Sequence, residues 1–165
     1  MKRIGIISDT HGYWDERYEQ YLGECDEIWH AGDIGSMEVA DRFEAMKPIF
    51  RAVHGNIDGG DVRRCYPERL RFRCEEADVL LKHIGDRSVA HTLYAMPPDL
   101  FVCGHSHILK VMHDKTLNLL HINPGAAGLQ GWQPERTLVR LTVDGKQFKD
   151  CEVITLGERR KSAWT

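Results

Sequence analysis

The first third of the chain contains three short runs of nearly continuous apolar residues, each followed by a polar segment. The runs are RIGIIS at 3–8, EIWHA at 27–31 and PIFRAV at 48–53. Such runs predict strands that are buried on both faces. Asp15 and Ser36 can each begin a helix, because apolar residues at helical spacing follow them. This β-α-β-α-β order predicts a parallel sheet covered by helices.

The second half of the chain predicts more strands and one further helix. The segment 69–84 predicts two strands, and a helix near 88–95 leads into a strand at 99–103. The remaining strands are predicted at 108–113, 117–122, 137–143 and 147–155. Asp144-Gly145, between the last two, is a hairpin turn signal. The sequence therefore predicts an α/β sandwich with mixed sheets.

The length and charge of the chain limit its organisation and its partners. A chain of 165 residues fits one compact domain, which we predict to span residues 1–165. A net charge of −3 provides no basic surface for nucleic acid, so no binding of duplex nucleic acid is expected. No apolar segment reaches the length of a membrane span, and no membrane partner is expected.

The cysteines and the first residues favour a cytoplasmic protein. The five cysteines form no CxxC pair and leave one over, which argues against a disulfide framework and against a cysteine zinc site. The apolar run that follows Met1 stops at Asp9, too early for a signal peptide. We therefore expect a cytoplasmic location.

Polar side chains follow the C-terminal ends of five predicted strands. The segments are SDTHG, HAGDIG, VHGNID, LKHIG and CGHSH. In open α/β sheets the loops after the strands converge at this edge, where ligands bind. The metal-binding side chains in these segments are Asp9, His11, Asp33, Asn56, His83, His105 and His107. We expect a ligand site at this edge.

This donor set favours a centre with two transition-metal ions. Carboxylate, amide oxygen and imidazole suit Mn²⁺, Fe²⁺, Ni²⁺ or Zn²⁺, whereas calcium or magnesium alone would favour oxygen ligands. Seven donors exceed the needs of one tetrahedral ion but suit two ions that share a carboxylate, which we predict to be Asp33. Glycines precede Asp33, Asn56 and His105 and leave room for the chain to turn there. Two divalent ions are expected, with Mn²⁺ as the first candidate.

The order of these motifs is similar to that of a known enzyme family. Residues 1 to about 125 resemble the calcineurin-like metallophosphoesterases, most closely their small single-domain YfcE-like phosphodiesterase branch. The motifs that carry the resemblance are Asp9-x-His11, Gly32-Asp33, Gly55-Asn56-x-Asp58, His83, Gly104-His105-x-His107 and INPG at 122–125. The resemblance implies a four-layer α-β-β-α sandwich with two mixed β-sheets and a dinuclear metal centre at the strand ends.

The resemblance also implies a role for each site residue. The ligands of the first ion would be Asp9, His11 and His107. The ligands of the second ion would be Asn56, His83 and His105. Asp33 would bridge the two ions. The candidate catalytic residues are Asp33, Asn56, Asp58 and His54.

The sequence departs from the family pattern after Asn56. Many similar enzymes have histidine at the next position, and the small branch often has cysteine, but this chain has Ile57, which can neither donate a proton nor bind a phosphoryl oxygen. His54 is a candidate substitute, although a histidine at a strand end is more often structural. The INPG loop continues with Ala126 where similar chains tend to have serine. His30 is expected in the core or in a hydrogen bond that supports Asp33.

The function that these features imply is hydrolysis of phosphodiester bonds by a hydroxide that bridges two metal ions. The substrate would be a small phosphoester. Two alternatives stay open: a phosphomonoesterase, and a catalytically weak metal-binding scaffold of the same fold, similar to a retromer-like scaffold subunit that binds proteins. Ile57 favours the scaffold, whereas the retention of all seven donors favours the enzyme. Homo-oligomer formation is also left open.

Overall fold

The element order follows the predicted alternation of strands and helices. The computed structural model describes residues 1–85 and 87–159, and over these ranges the chain forms ten strands and four helices. The strands are β1 (Lys2–Ile7), β2 (Glu27–His30), β3 (Ile49–Ala52), β4 (Arg69–Cys74), β5 (Ala77–Lys82), β6 (Leu100–Val102), β7 (Lys110–Asp114), β8 (Leu119–Asn123), β9 (Glu135–Asp144) and β10 (Gln147–Glu158). The helices are α1 (Glu16–Leu22), α2 (Met37–Glu44), α3 (Gly60–Cys65) and α4 (Arg87–Ala95). Of the predicted domain 1–165, residues 86 and 160–165 lie outside the described residues.

The strands form two mixed sheets of five. One sheet has the order β10-β9-β1-β2-β3, in which β1, β2 and β3 are parallel and β9 and β10 are antiparallel to their neighbours. The other has the order β4-β5-β6-β8-β7, in which β5, β6 and β8 are parallel. The predicted parallel start and the mixed sheets are therefore confirmed.

Apolar side chains fill three layers around these sheets. The main core lies between the sheets, where Ile6 and Trp29 of the first sheet belong to the same buried cluster as Val102 of the second. Tyr18 of α1 and Phe43 of α2 cover the outer face of the first sheet. A smaller cluster that contains Val89 of α4 covers the second sheet. The four-layer α-β-β-α sandwich is confirmed.

The local signals in the sequence place most elements correctly. The side chain of Asp15 accepts a hydrogen bond from the backbone N–H of Arg17 and caps α1, and Ser36 caps α2 by accepting from Val39. The Asp144-Gly145 signal is also confirmed, because Gln147 pairs with Asp144 across the turn between β9 and β10.

One expectation about this part of the chain is wrong. We expected the run at 48–53 to be buried on both faces, but β3 lies at the edge of its sheet and Ile49 is 55% exposed. The short helix α3, which the sequence pattern does not indicate, follows β3 and buries Val62. Its six residues are too few to show a clear apolar periodicity.

No helix among the described residues is long and apolar enough to cross a membrane.

A buried carboxylate joins the strands β1, β2 and β3 at the end of the sheet opposite the predicted site. The side chain of Glu27, at the start of β2, is 1% exposed and accepts hydrogen bonds from Lys2 Nζ (3.0 Å), Trp29 Nε1 (3.1 Å) and Arg51 Nε (2.7 Å). Burial alone would raise the pKa of Glu27, but these donors outweigh it and hold the pKa below its ordinary value of 4.5. Glu27 is therefore ionised in the folded protein at neutral pH.

We predict that Glu27→Gln lowers the free energy of unfolding by about 2–3 kcal/mol near pH 7, because a neutral amide replaces a carboxylate that accepts three hydrogen bonds. The pKa of Glu27 is lower in the folded than in the unfolded state, so its contribution is present above pH 4.5 and is lost as the pH falls further. Urea unfolding at pH 7 and below pH 4 measures both effects.

The matched control is Glu16→Gln, which removes an exposed pair with Arg42. This change should cost less than about 0.5 kcal/mol. Equal losses for the two variants, or a difference between wild type and Glu27→Gln that does not shrink at low pH, would contradict the account of Glu27.

Candidate metal centre

The predicted donors lie together where the parallel strands end. Loops after β1, β2, β3, β5 and β6 converge at this edge of the two sheets. One ligand atom from each of four side chains lies within 4.8 Å of the others. These four residues, the inner group, are Asp9, His11, Asp33 and His107. All four side chains are buried or nearly so.

The inner group is built on the two carboxylates. Oδ1 of Asp9 lies 3.0 Å from Nε2 of His107 and 3.6 Å from Nε2 of His11. Nε2 of His11 is also 3.4 Å from Oδ2 of Asp33. The other oxygen of Asp9 accepts hydrogen bonds from Ser8 Oγ (2.5 Å) and from the backbone N–H of His105 (3.2 Å). Oδ1 of Asp9 therefore faces the two imidazoles, whereas Oδ2 is held by hydrogen bonds from the protein.

The three remaining donors form an outer group around one amide. Oδ1 of Asn56 lies 3.0 Å from Nε2 of His83 and 3.0 Å from Nδ1 of His105. Asn56 and His105 are exposed, whereas His83 is buried. Nδ1 of His83 is 2.7 Å from the carbonyl oxygen of Ala31, which fixes the ring with Nε2 towards Asn56.

Asp33 joins the two groups. Its Oδ2 lies 3.4 Å from His11 of the inner group and 3.2 Å from Nε2 of His83 of the outer group. Its Oδ1 accepts a hydrogen bond of 3.0 Å from the backbone N–H of Ile57. One oxygen is therefore held by the protein, and the other faces donors from both groups.

The backbone at the site is held in an unusual conformation. Among the described residues, eight that are not glycine have a positive φ, and five of these are predicted ligands. Their φ values are 55° for Asp9, 46° for His11, 54° for Asp33, 69° for His105 and 63° for His107. Such residues cost of order 1–3 kcal/mol each and persist where the surrounding structure fixes them. The site is thus built at the expense of local stability.

Backbone hydrogen bonds hold the loops after β1 and β2 in this conformation. The backbone N–H groups of Asp9 and His11 donate to the carbonyls of Gly32 (3.0 Å) and Asp33 (3.0 Å). This ladder continues the parallel pairing of β1 with β2 beyond the strands. These two hydrogen bonds therefore place Asp9, His11 and Asp33 side by side.

Asp58 holds three further backbone groups. Its carboxylate is buried and accepts from the N–H groups of Ile34 (3.2 Å), Gly35 (2.8 Å) and Gly55 (2.8 Å). The loops that carry Asp33 and Asn56 are thereby fixed to each other. The catalytic role predicted for Asp58 stays a prediction, and its contacts are those of a residue that positions others.

The charges within the inner group stabilise one another. Burial would raise the pKa values of Asp9 and Asp33, but contacts with the neighbouring histidines outweigh it and lower both. Burial would lower the pKa of His11, but the nearby carboxylates of Asp33 and Asp9 raise it to about 9. The pKa of His83 is raised in the same way, mainly by Asp33. The carboxylates therefore favour a positive charge placed next to them.

Unused polar atoms show that this cluster fits metal ions. Oδ1 of Asp9 and Nε2 of His11 are buried and close to each other's groups, but neither makes a hydrogen bond of suitable geometry. Buried polar groups normally have partners, so both atoms need an explanation. Carboxylate and imidazole atoms that converge within 4.8 Å are the donor set of a borderline divalent cation. The residues present therefore fit the ions that the sequence predicts.

The other sequence candidates lie around this centre. Nδ1 of His54 lies 2.8 Å from the carbonyl oxygen of Tyr66, and His54 lines a cavity with Asn56 and His83. Ile57 is 46% exposed. Ser8, which bonds Asp9, was not predicted, although its place next to Asp9 in the SDTHG segment was a usable signal.

Comparison with protein families identifies the class of this chain. Residues 1–146 match the family model of the calcineurin-like phosphoesterase superfamily domain. The chain belongs to the calcineurin-like phosphoesterase superfamily. The resemblance proposed from the sequence is therefore confirmed. No curated protein matches the chain in sequence.

Solved structures share the fold at low sequence identity. A predicted phosphoesterase from Streptococcus pneumoniae has 23% identity and a TM-score of 0.73, with 93% of this chain and 89% of that chain covered. An archaeal phosphodiesterase has 22% identity and a TM-score of 0.72, with coverage of 93% and 99%. Vps29 from Entamoeba histolytica, complexed with Zn²⁺, has 17% identity and a TM-score of 0.72, with coverage of 93% and 98%.

Glycines next to the ligands make room for the cluster. A Cβ on Gly55 would collide with Oδ1 of Asp33 and lie 2.5 Å from its backbone nitrogen, and one on Gly104 would lie 2.7 Å from Oδ2 of Asp9. A Cβ on Gly32 would lie 2.7 Å from Nδ1 of His83. The space that the sequence predicts before Asp33, Asn56 and His105 is confirmed.

We predict that Gly55→Ala weakens binding of Mn²⁺ by about tenfold or more, because the added methyl group displaces Asp33. Calorimetric titration of metal-free protein with Mn²⁺ measures this. Gly60→Ala is the matched control, since a Cβ there approaches nothing closer than 3.6 Å and lies in α3. Unchanged Mn²⁺ affinity in folded Gly55→Ala would show that the position of Asp33 does not matter for metal binding.

Proposed function

We propose that this protein is a metal-dependent phosphodiesterase, whose site would hold two divalent ions that supply an activated water for attack on the phosphorus atom. The observation that carries the proposal is the pair of donor groups joined by Asp33, with buried donor atoms that lack partners. The superfamily contains phosphoesterases, and a structural neighbour is described as a phosphodiesterase. Dinuclear binding and the preference for diesters are our proposals.

The inner and the outer donor groups would each hold one ion. We assign Asp9, His11 and His107 to the inner ion and Asn56, His83 and His105 to the outer ion. Asp33 would bridge them through Oδ2, the oxygen near both His11 and His83. When bound, such ions lower the pKa of coordinated water and neutralise charge on phosphoryl oxygens. We propose Mn²⁺ as the ion, with Fe, Ni or Zn as alternatives.

Two cavities beside the outer group favour a diester over a monoester. A cavity of about 290 Å³ is lined by Asn56, His83 and Arg63, and a second of about 350 Å³ is lined by His105 and Ile108. Ile84 lines both, so the cavities are neighbours beside the outer group. Each has the volume of a small ligand site. A phosphate between them would have space for an ester arm on either side.

The cavities also differ in chemistry. Among the described residues, the lining of the first includes Arg63, Glu68 and Lys82, whereas that of the second includes Ile108 and Cys103 and a single charged side chain, Lys110. The first suits a polar arm and the second an apolar or planar arm. His54 lines the first cavity, and we propose it as the group that protonates a leaving oxygen there.

The exposed Ile57 favours one alternative, a metal-binding scaffold with weak catalysis. Its side chain is 46% exposed beside the site and supplies no proton. Vps29 with bound Zn²⁺ shares the fold. Against this alternative, the seven predicted donors are all present and converge.

We also propose a cytoplasmic location and a small phosphoester substrate. Five free cysteines fit a reducing compartment. We propose no membrane or duplex nucleic-acid partner, and homo-oligomer formation stays open.

We predict that wild-type protein hydrolyses an aryl phosphodiester with Mn²⁺, and that Asp33→Asn lowers kcat by about 10³-fold or more, because the amide cannot share a negative oxygen between ions. Release of the aryl alcohol measures the rate. Asp41→Asn, an exposed change on α2, is the control. A wild type without turnover in any divalent ion would reject the enzyme and favour the scaffold. Faster turnover of the matched aryl monoester would favour the phosphomonoesterase.

We predict that Ile57→His raises kcat/KM about tenfold or more for a diester with an alkyl leaving group, and less for an aryl diester, because alkoxides need a proton donor. The backbone N–H of residue 57 would still hold Asp33. Ile57→Leu is the control. An equal gain for both substrates would exclude proton donation as its cause.

A further inference from the structure

A buried histidine lies at the site without being one of the predicted ligands. His30 is the last residue of β2, and its side chain is fully buried against Phe43, with ring centroids 5.7 Å apart. Nδ1 of His30 accepts the backbone N–H of Gly32 at 3.1 Å. Nε2 lies 3.0 Å from Oγ1 of Thr10. This ring therefore touches the neighbours of the ligands and not the ligands themselves.

The hydrogen bonds of His30 run in one direction. Because Nδ1 accepts from Gly32, the proton of the neutral ring is on Nε2, which donates to Thr10. The hydroxyl of Thr10 then donates its own proton to the carbonyl of Ile34 at 2.9 Å. Burial holds the pKa of His30 well below its ordinary value, which keeps the ring neutral near pH 7.

This chain of hydrogen bonds encloses three of the four residues of the inner group, Asp9, His11 and Asp33. It begins at Gly32 and ends at Ile34, the residues on either side of Asp33. Its middle member, Thr10, lies between Asp9 and His11 and is fully buried. The three ligands so enclosed all have positive φ values. Side-chain bonds and the backbone ladder thus act on the same two loops.

We propose that His30 and Thr10 form a positioning relay that holds Asp9, His11 and Asp33 at the spacing a divalent cation requires. The inference rests on the proposed metal centre. Residues with positive φ relax unless their surroundings fix them, and relaxation would separate donors that now lie within 4.8 Å. Partners behind metal ligands typically affect metal affinity by about 10–100-fold.

The test compares Thr10→Val with Thr10→Ser. Valine has the shape of threonine but lacks the hydroxyl, whereas serine keeps it. Titration of the metal-free full chain with Mn²⁺ should give a dissociation constant about tenfold or more weaker for Thr10→Val and within about threefold of wild type for Thr10→Ser. Thermal unfolding of the metal-free proteins is measured in parallel.

A buried threonine at the other end of the same sheet provides the control. Thr142 accepts a hydrogen bond from Arg3 Nη1 at 2.9 Å, near the start of β1. Thr142→Val should lower the melting temperature without a change in Mn²⁺ affinity. This variant separates general loss of stability from loss of positioning.

The outcomes distinguish the relay from the metal centre. If wild type does not bind Mn²⁺, the proposed metal centre is wrong. If wild type binds and Thr10→Val binds equally well, even with a lower melting temperature, the residues are merely structural and the relay is overturned. Should Thr10→Val not fold, His30→Gln replaces it, because an amide N–H can still reach Thr10, whereas no acceptor atom occupies the place of Nδ1 that receives the Gly32 N–H. Unchanged Mn²⁺ affinity in His30→Gln would equally overturn the relay.

Discussion

The hydrogen-bond ladder between the first two loops is the interaction on which the rest of the site depends. Parallel pairing of β1 and β2 continues past the strands, through the bonds from Asp9 to Gly32 and from His11 to Asp33. The ladder brings two carboxylates together in a buried place, where like charges would repel. Histidines on both sides offset that repulsion and lower the pKa values of both carboxyl groups. Fold and charge therefore determine the site together.

The stability of the protein comes mainly from regions away from this site. The core between the sheets and the buried Glu27 cluster supply favourable packing and paired charge. The site instead contains positive φ values and buried atoms without partners. Such features are expected where structure serves binding, because a fully relaxed site would have no free donor atoms for a ligand.

The sequence was sufficient for most of the fold because its signals are local. Apolar runs predict the parallel strands, and Asp15 and Ser36 predict where helices begin. The edge position of β3 depends on which strands pair with it, which a run of apolar residues does not encode. The short helix α3 gives too few residues for a periodic pattern.

The convergence of the seven donors was predictable from the sequence, and their individual contacts were less so. Donor types after each strand gave the seven residues, since strand ends meet at one edge. The sequence does not show that Asp58 is fully used by backbone N–H groups or that His30 bonds Thr10, because these partners are distant along the chain. The burial of the two donor groups differs as well: Asp9 is inaccessible, whereas Asn56 and His105 face solvent. In the proposed centre, ions would therefore fill in sequence, with slow exchange at the deep position and rapid exchange at the outer one. Catalytic competence would then follow the free concentration of metal around the protein.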